Sequence, residues 1–583
     1  MSDKNNNPAE LASEQALAAV YECLKDKRSF LLEAGAGAGK TYSLVKALRF
    51  LIARDEFKLP RNHQKIACIT FTNVAKGEIE ARTDRNPLIY CDTTHAFCWS
   101  LIGGFQKQLR AILPTMAHWL EKFKEVGPIG ERTVEYSLGF RSIKDDRVSI
   151  HHDDVLPLTI LLMEYDKFRH IVTDKYPVIL IDEYQDTDTN WIEAIKAKFL
   201  GQPNAPQFGF FGDHWQKIYG NGCGRIDHPA LTLIGKKANF RSVPAIVDCL
   251  NRMRPDLPQM VENPEEIGRI KIFHTNNWTG ARQTSAHWKG DLPSEVSHSV
   301  LEDVQDRLKN DGWDLSAKST KILMLTHRVL ASEQGYASLP SVFQYNEAFA
   351  KKEDEFIAYF AEKLEPACTA YYERKFGRMF AALGGSIPAI QAKEDKVKWA
   401  SAMDELLKLR AQGTVGQVVD HLRQTRRPRL PDALEKRLKN LESFDKNAGE
   451  EMPRALLELE KLRAVPYKEI ISLTAYLSGY SPFETKHGVK GAEFENVIVV
   501  VGRGWNQYNF NEMLELAHDP LNVPPNRQDA YERNRNLFYV ACSRPKRRLA
   551  LLFTQELSVL ALKTLGKWFG EDTVSAGAID FNH

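Results

Sequence analysis

FLLEAGAGAGKT, residues 30–41, is the stretch from which the rest of the chain is read. Phe30-Leu31-Leu32 is an apolar run with the length of a buried strand. A glycine-alternating loop follows, Ala34-Gly35-Ala36-Gly37-Ala38-Gly39, and then Lys40-Thr41. Tyr42 to Phe50 has helical spacing. Strand, glycine loop, Lys-Thr and helix in that order make a phosphate-binding loop. Glycines let backbone N–H groups turn inward and line an anion nest at a helix N-terminus. Lys40 can reach the β- and γ-phosphates of a nucleotide, and the Thr41 hydroxyl can hold Mg²⁺. Ala34 stands where the usual pattern begins with glycine. A Gly/Ala-rich turn ending in Lys-Thr by chance is the plain alternative. The strand before it and the helix after it argue against that.

The chain has 583 residues, 43% of them hydrophobic, enough for several domain-sized cores. Lys and Arg total 78 against 76 Asp and Glu, a net charge of +2. Such a balance neither announces a nucleic-acid binder nor excludes one, because a local basic track is hidden in the sum. No apolar run approaches the ~20 residues of a membrane span. The first residues, MSDKNNNPAE, are polar and lack a signal-peptide core, so a cytoplasmic protein is expected. Eight cysteines without a CxxC pair fit a reduced compartment and no ribbon-type zinc site. Cys91, His95 and Cys98 are close in sequence but read more simply as packed thiols beside a polar histidine.

Apolar strands alternating with helices predict an α/β fold with parallel sheets covered on both faces. Strands are expected at 65–71, 88–91, 177–181 and 208–211, then at 270–273, 322–325, 469–472, 496–501 and 549–553. The segment from about Trp99 to Lys167 reads as mostly helical, and so does the Leu-, Lys- and Glu-rich stretch 345–462. Within the latter, Arg423, Arg426, Arg427 and Arg429 form a basic knot. It reads equally well as a duplex contact and as a solvated helix end. The strand at 177–181 ends in Asp182-Glu183. A strand-end carboxylate can bind Mg²⁺, the role expected of Asp182. Its neighbour Glu183 can orient and deprotonate an attacking water.

At LIDEYQDT (180–187) the sequence resembles the UvrD/Rep family of superfamily 1 (type A) DNA helicases. The resemblance is collinear over nearly the whole chain. It runs from Gln15, through AGAGAGKT (34–41), TFTNVAKGE (70–78) and TTHAFC (93–98), to FGDHWQKIY (211–219) and NFRS (239–242). It continues through ILMLTHR (322–328) and TKHGVKGAEF (485–494) to NLFYVACSRPKRRL (536–549). It implies two RecA-like parallel-sheet motor domains, each with a mostly helical insertion. The expected bounds are 1–104 with 166–243 for the first domain, and 244–344 with 463–583 for the second. The insertions are 105–165 and 345–462.

Site residues follow from the same resemblance. Gln15 would read adenine, Phe240 would stack on it and Glu493 would hold the ribose. Gln216 would sense the γ-phosphate. Arg241 and Arg544 would both face it, Arg544 from the second domain. Taken alone, each arginine reads as a surface ion pair, Phe240 as core and Glu493 as a solvated charge. On the nucleic-acid side, Phe71 and Tyr219 are the stacking residues. Asn73, His95 and His487 are phosphate or base contacts. The implied activity is an ATP- and Mg²⁺-dependent 3′→5′ helicase and translocase on single-stranded and tailed duplex DNA.

Departures qualify the resemblance. The aromatic and Arg that often follow Tyr219 in the family are Asn221 and Gly222 here, and Trp215, beside Gln216, is a poor substitute. Pro545 stands where Ala is usual. The stretch GRGWNQYNFNEM (502–513) replaces an acidic turn. The second insertion also looks shorter than in larger members, and no nuclease signature follows residue 549. The Tyr-Asn-rich stretch and compact size resemble small helicases of bacterial anti-phage systems, such as Gabija-type partners of nucleases. That keeps a second expectation open: a nucleotide- or nucleic-acid-sensing ATPase switch with a nuclease partner.

Overall fold

Strands form where short runs of β-branched, aromatic and other apolar residues are bounded by turns. The structure, a computed structural model, describes residues 7–137, 141–218, 220–285, 288–324, 335–343, 347–350, 352–384, 390, 392–445, 451–477, 483–485, 492–503 and 508–581. Tyr219 and His487 lie outside the described residues, as do residues 325–328 of ILMLTHR and 486–491 of TKHGVKGAEF. The chain forms two compact units. The first comprises Met1–Ile270, Glu512–Arg548 and Leu560–Thr573; the second comprises Lys271–Asn511, Leu549–Val559 and Val574–His583.

The first unit holds a six-stranded sheet. Its strands are β1 (Phe30–Ala34), β2 (Ile66–Thr70), β3 (Ile89–Thr93), β4 (Val178–Asp182), β5 (Gln207–Gly212) and β6 (Thr232–Lys236). Their order is β3-β2-β4-β5-β1-β6, with every pair parallel. β2, β4 and β5 are buried along their whole length, as strands covered on both faces must be. One face packs on α1 (Pro8–Lys25) and α2 (Lys40–Asp55) through Ala16, Val20, Leu44, Leu48 and Leu51. The other face packs on Phe97, Leu101, Trp119, Phe168 and Trp191.

The register sets the site. Glu33 lies beside Gly212, and Ala34 beside Lys236. The carboxyl ends of β1, β4, β5 and β6 therefore share one edge, where open parallel sheets bind ligands. Residues 105–165 are not wholly helical. A small sheet of Thr133–Tyr136, Ser142–Ile143 and Arg147–Ile150 sits among the helices. The alternation in TVEY and RVSI carries that signal, and the overall helical pattern hid it.

The second unit holds most of the sheet β7 (Arg269–His274), β8 (Thr320–Met324), β9 (Phe483–Thr485), β10 (Phe494–Val501) and β11 (Pro545–Phe553), in the order β7-β11-β10-β8-β9. β8 pairs parallel with β9 and β10. The strand expected at 469–472 is instead the helix Tyr467–Leu477. Tyr467, Ile470, Leu473 and Tyr476 are buried at a spacing of three, a helical stripe that a short apolar run conceals. The helices of 345–462, read from the sequence as an insertion, pack on this sheet. They share one continuous core with the strands, running from Ile322, Met324, Ile498 and Val500 to Met403, Leu406, Val418 and Leu422. Deleting them would expose a face of the sheet.

Candidate active site

The phosphate loop takes its shape from two glycines. Gly37 and Gly39 have φ of +74° and +73°, conformations that a Cβ disfavours. A Cβ on Gly37 would also lie 2.8 Å from Asn239 Oδ1. Asn239 Nδ2 and Gln259 Nε2 both donate to the Ala36 carbonyl, at 3.1 Å each, and so brace the loop from below. The Phe240 N–H donates to the Gly37 carbonyl at 2.9 Å, which ties NFRS to the loop directly. Ala34, Gly35, Ala36 and Ala38 are buried in this cradle. Gln15 is exposed on α1, and Glu493 is exposed just before β10.

Lys40 and Thr41 open α2, half-buried. Lys40 Nζ donates to Glu183 Oε2 at 2.8 Å. Glu183 sits one residue past β4 in a left-handed conformation, φ +49°, unusual for a residue with a side chain. Gln185 Nε2 donates to the same carboxylate at 2.5 Å, and Gln185 Oε1 accepts from the Asp213 N–H at 3.0 Å. Gln185 is thus the link between the ends of β4 and β5. Sequence reasoning quoted it in DEYQD but gave it no role.

Asp182 is buried, and among the described residues its Oδ1 finds no hydrogen-bond donor. Burial and then the Glu183 charge raise its carboxyl well above the usual range. A bound cation would offset both effects, as the Lys40 charge already does in part, so an orphaned carboxylate oxygen at the end of β4 fits Mg²⁺. Gln216 Nε2 donates to Asp213 Oδ2 at 2.6 Å, within the turn after β5.

A buried ion cluster lies behind this row. Arg254, at the end of α4 (Pro244–Met253), donates to Asp213 Oδ1 at 2.6 Å and to Glu33 Oε1 at 2.7 Å. His214 Nδ1 meets the same Glu33 oxygen. Burial works to raise the Glu33 and Asp213 carboxyls. The His214 contact and the Arg254 charge outweigh it at Glu33, and the Arg254 and Lys40 charges do so at Asp213, so both end lower than usual. Among the described residues, only Glu33, Asp213 and His214 bring three potential metal-ligand atoms within 4.8 Å of one another. The Arg254 guanidinium already occupies an oxygen of each carboxylate. Trp215, 9% exposed, lies between Arg254 and Arg535, 5.4 and 4.0 Å from its ring centroid, and meets the Tyr539 ring edge-on. It is packing for this cluster and not a platform for a base.

The helix α5 (Gln528–Cys542) closes the site. The sequence reading placed it and Arg544 with the second sheet. The structure groups Glu512–Arg548 with the first unit. The reason is a set of specific contacts. Asn536 Nδ2 donates to the His214 and Lys217 carbonyls, and Ser242 Oγ donates to the Pro545 carbonyl at 2.7 Å. Arg241 donates to the Ser543 carbonyl at 3.1 Å. Arg544 is 1% exposed and donates to the Val540 carbonyl and Ser543 Oγ, both at 2.9 Å. A surface ion pair is therefore excluded. Burial and then the Arg241 charge push its guanidinium down to about 9, against the pull of Glu183. Two arginines that repel each other and sense Glu183 mark a place where an anion would be stabilised.

On the other flank, Phe71 is 38% exposed in the turn between β2 and α3 (Asn73–Arg82). Thr72 caps α3 by accepting from the Ala75 N–H, and Asn73 and Val74 are exposed beside it. His95 stacks on His152 with centroids 3.5 Å apart, and His152 Nδ1 meets the Tyr136 hydroxyl at 2.9 Å. Burial, then His152, push the His95 imidazole down to about 4, so at neutral pH it can offer a phosphate only a neutral N–H. Gly222 is pressed against Gln185, where a Cβ would come within 2.3 Å of the carbonyl oxygen, so no side chain fits there. Three arginines of the basic knot have partners nearby: Arg423 with Glu435 and Glu442, Arg429 with Asp432, and Arg427 with the Thr425 carbonyl.

Comparison with known proteins agrees with this arrangement. A family model described as an AAA domain matches residues 16–221. The chain is 22% identical to the Gabija protein GajB of Bacillus cereus (strain HuB5-5), over 94% of this chain and 96% of that protein. It is 26% identical to the ATP-dependent DNA helicase Rep of Escherichia coli (strain K12), over 42% of this chain and 45% of that one. It is 25% identical to the ATP-dependent DNA helicase UvrD1 of Mycobacterium leprae (strain TN), over 38% and 37%. A braced phosphate loop, the acidic end of β4 linked through Gln185 to β5, and these relatives lead to one conclusion: this chain is similar to UvrD/Rep-like superfamily 1 helicases and, along nearly its whole length, to a Gabija protein GajB.

Proposed function

We propose that the protein is a DNA-dependent ATPase that couples ATP hydrolysis to 3′→5′ movement on single-stranded DNA and to opening of tailed duplexes. The observation that carries this reading is the gathering of Lys40, Glu183, Arg241 and Arg544 around one phosphate loop. Lys40 leaves Glu183 to meet the β- and γ-phosphates. The freed Glu183 carboxylate takes a proton from the attacking water, held in place by the Gln185 amide. Arg241 and Arg544 stabilise the charge that develops on the transferred phosphoryl group. Mg²⁺, held through Thr41 and Asp182, neutralises phosphate oxygens when bound. Gln15 and Phe240 carry the nucleoside.

DNA runs past Phe71, Asn73 and His95, with Tyr219 and His487 as further contacts. Phe71→Ala is expected to leave basal ATPase within about twofold of wild type. Half-maximal stimulation should then need roughly tenfold more single-stranded DNA, the size of one lost stacking contact. ATPase titrated with oligonucleotide checks this; equal loss of both rates would make Phe71 a core residue. Strand displacement on 3′- and 5′-tailed duplexes tests the function itself. Unwinding of the 3′-tailed substrate alone is the expected result.

A second reading is favoured by two observations: the alignment to GajB along nearly its full length, and the burial of Trp215. In it the chain is an ATPase switch that senses nucleic acid or nucleotide within a complex with a nuclease, without processive unwinding. DNA-stimulated ATPase with no displacement of either duplex would select it.

A further inference from the structure

We propose that Lys236 is a second cation of the nucleotide site, a buried positioning residue that holds the end of the phosphate loop and whose charge is answered by the phosphates of the nucleotide. This deepens, and rests on, the ATPase reading above. Lys236 ends β6, where Ile234 and Lys236 are buried between exposed neighbours. An apolar residue belongs at such a position. The lysine is instead 0% exposed, and the pairing with β1 places it beside Ala34, where the loop begins. Its Nζ donates to the Gly39 carbonyl at 3.2 Å and to Ser43 Oγ at 2.8 Å. It lies 5.9 Å from the ring centroids of both Tyr42 and Phe240. A Cβ on Gly39 would stand 3.6 Å from the ammonium, so the charge sits directly behind the loop. Among the described residues no carboxylate forms an ion pair with it, and burial alone pushes it down to about 8.

A desolvated ammonium answered by one carbonyl, one hydroxyl and two ring faces is costly to the folded protein. Such local costs are retained where a ligand offsets them. A triphosphate brings several negative charges to this loop. Coulomb attraction through a medium of intermediate dielectric then favours binding in proportion to nucleotide charge. A residue that only scaffolds the loop through hydrogen bonds would show no such proportion.

The test is calorimetric titration of ATP, ADP and AMP into wild type, Lys236→Met, Lys236→Gln and Lys236→Arg. Lys236→Met and Lys236→Gln are expected to weaken ATP about tenfold, ADP less and AMP least, with Lys236→Arg within about threefold of wild type for all three. In steady-state assays KM for ATP rises while kcat holds within about twofold, the mark of a ground-state binding contribution. The nucleotide-free melting temperature of Lys236→Met holds or rises, because an uncompensated buried charge has gone. Equal losses for the three nucleotides, ATP binding by Lys236→Met within about twofold of wild type, or failure of both neutral variants to fold would each overturn the proposal. Absence of ATP binding by wild type would instead sink the ATPase reading beneath it.

Discussion

Arg544→Ala is expected to lose ATP hydrolysis by roughly 10³-fold while keeping most of its affinity for ATP and for single-stranded DNA. A group that stabilises charge developing in the transition state changes rate more than ground-state binding. The structure strengthens the premise. Arg544 is buried, its charge is disfavoured by burial and by Arg241, and Glu183, with Tyr539 and Asp213 after it, opposes this. A guanidinium held so has an anion to wait for. Arg544→Lys should rescue little, because an ammonium cannot copy the planar fork. Arg241→Ala should show a similar loss that does not add to the first, since both serve one phosphoryl group. The rival is a buried arginine that only holds α5, through the Val540 carbonyl and Ser543 Oγ. That role predicts a lowered melting temperature with proportionate loss of all activities. Steady-state ATPase at saturating single-stranded DNA, on variants with wild-type melting curves, separates the two. A rate within a few-fold of wild type would remove Arg544 from the reaction.

Glu183→Gln should stop hydrolysis while ATP still binds. The amide cannot accept a proton from water, so the loss should be at least 10²-fold, the lower range for general-base catalysis. The ion pair with Lys40 adds a second expectation. Removing the carboxylate frees the lysine for the phosphates, so ATP affinity should hold or improve. Lys40→Ala should abolish turnover by the opposite route, losing the flexible cation at the phosphates. Single-turnover hydrolysis alongside equilibrium nucleotide binding measures both. Hydrolysis by Glu183→Gln at the wild-type rate would show that another group takes the proton.

The two variants rest on residues of different legibility. Lys40, Asp182 and Glu183 stand out in the sequence because each ends or opens an apolar run, where the proposed chemistry would need them. Gln185 was visible in DEYQD, yet its part in joining the ends of β4 and β5 appears only when Asp213 is beside it. Glu33, Arg254, Gln259 and Lys236 carried no local signal. Glu33 and Lys236 lie in strands, Arg254 ends α4 and Gln259 follows it, and single charged or polar residues there read as solvated. Their burial depends on neighbours up to about two hundred residues away in the chain.

The sequence by itself determined the parallel α/β architecture, the phosphate loop and the acidic strand end. These follow from local spacing: apolar runs of strand length, glycines where φ must be positive, and Lys-Thr at a helix start. Only the tertiary structure decided that Tyr467–Leu477 is a helix, that the helices of 345–462 share a core with the second sheet, and that α5 with Arg544 belongs to the unit of the phosphate loop. It also decided that Trp215 is packed between two arginines and that Lys236 stands buried behind Gly39, with no carboxylate paired to it among the described residues. The reason is the same in each case. Burial and charge compensation are properties of what surrounds a residue, and residues far apart in sequence supply those surroundings here.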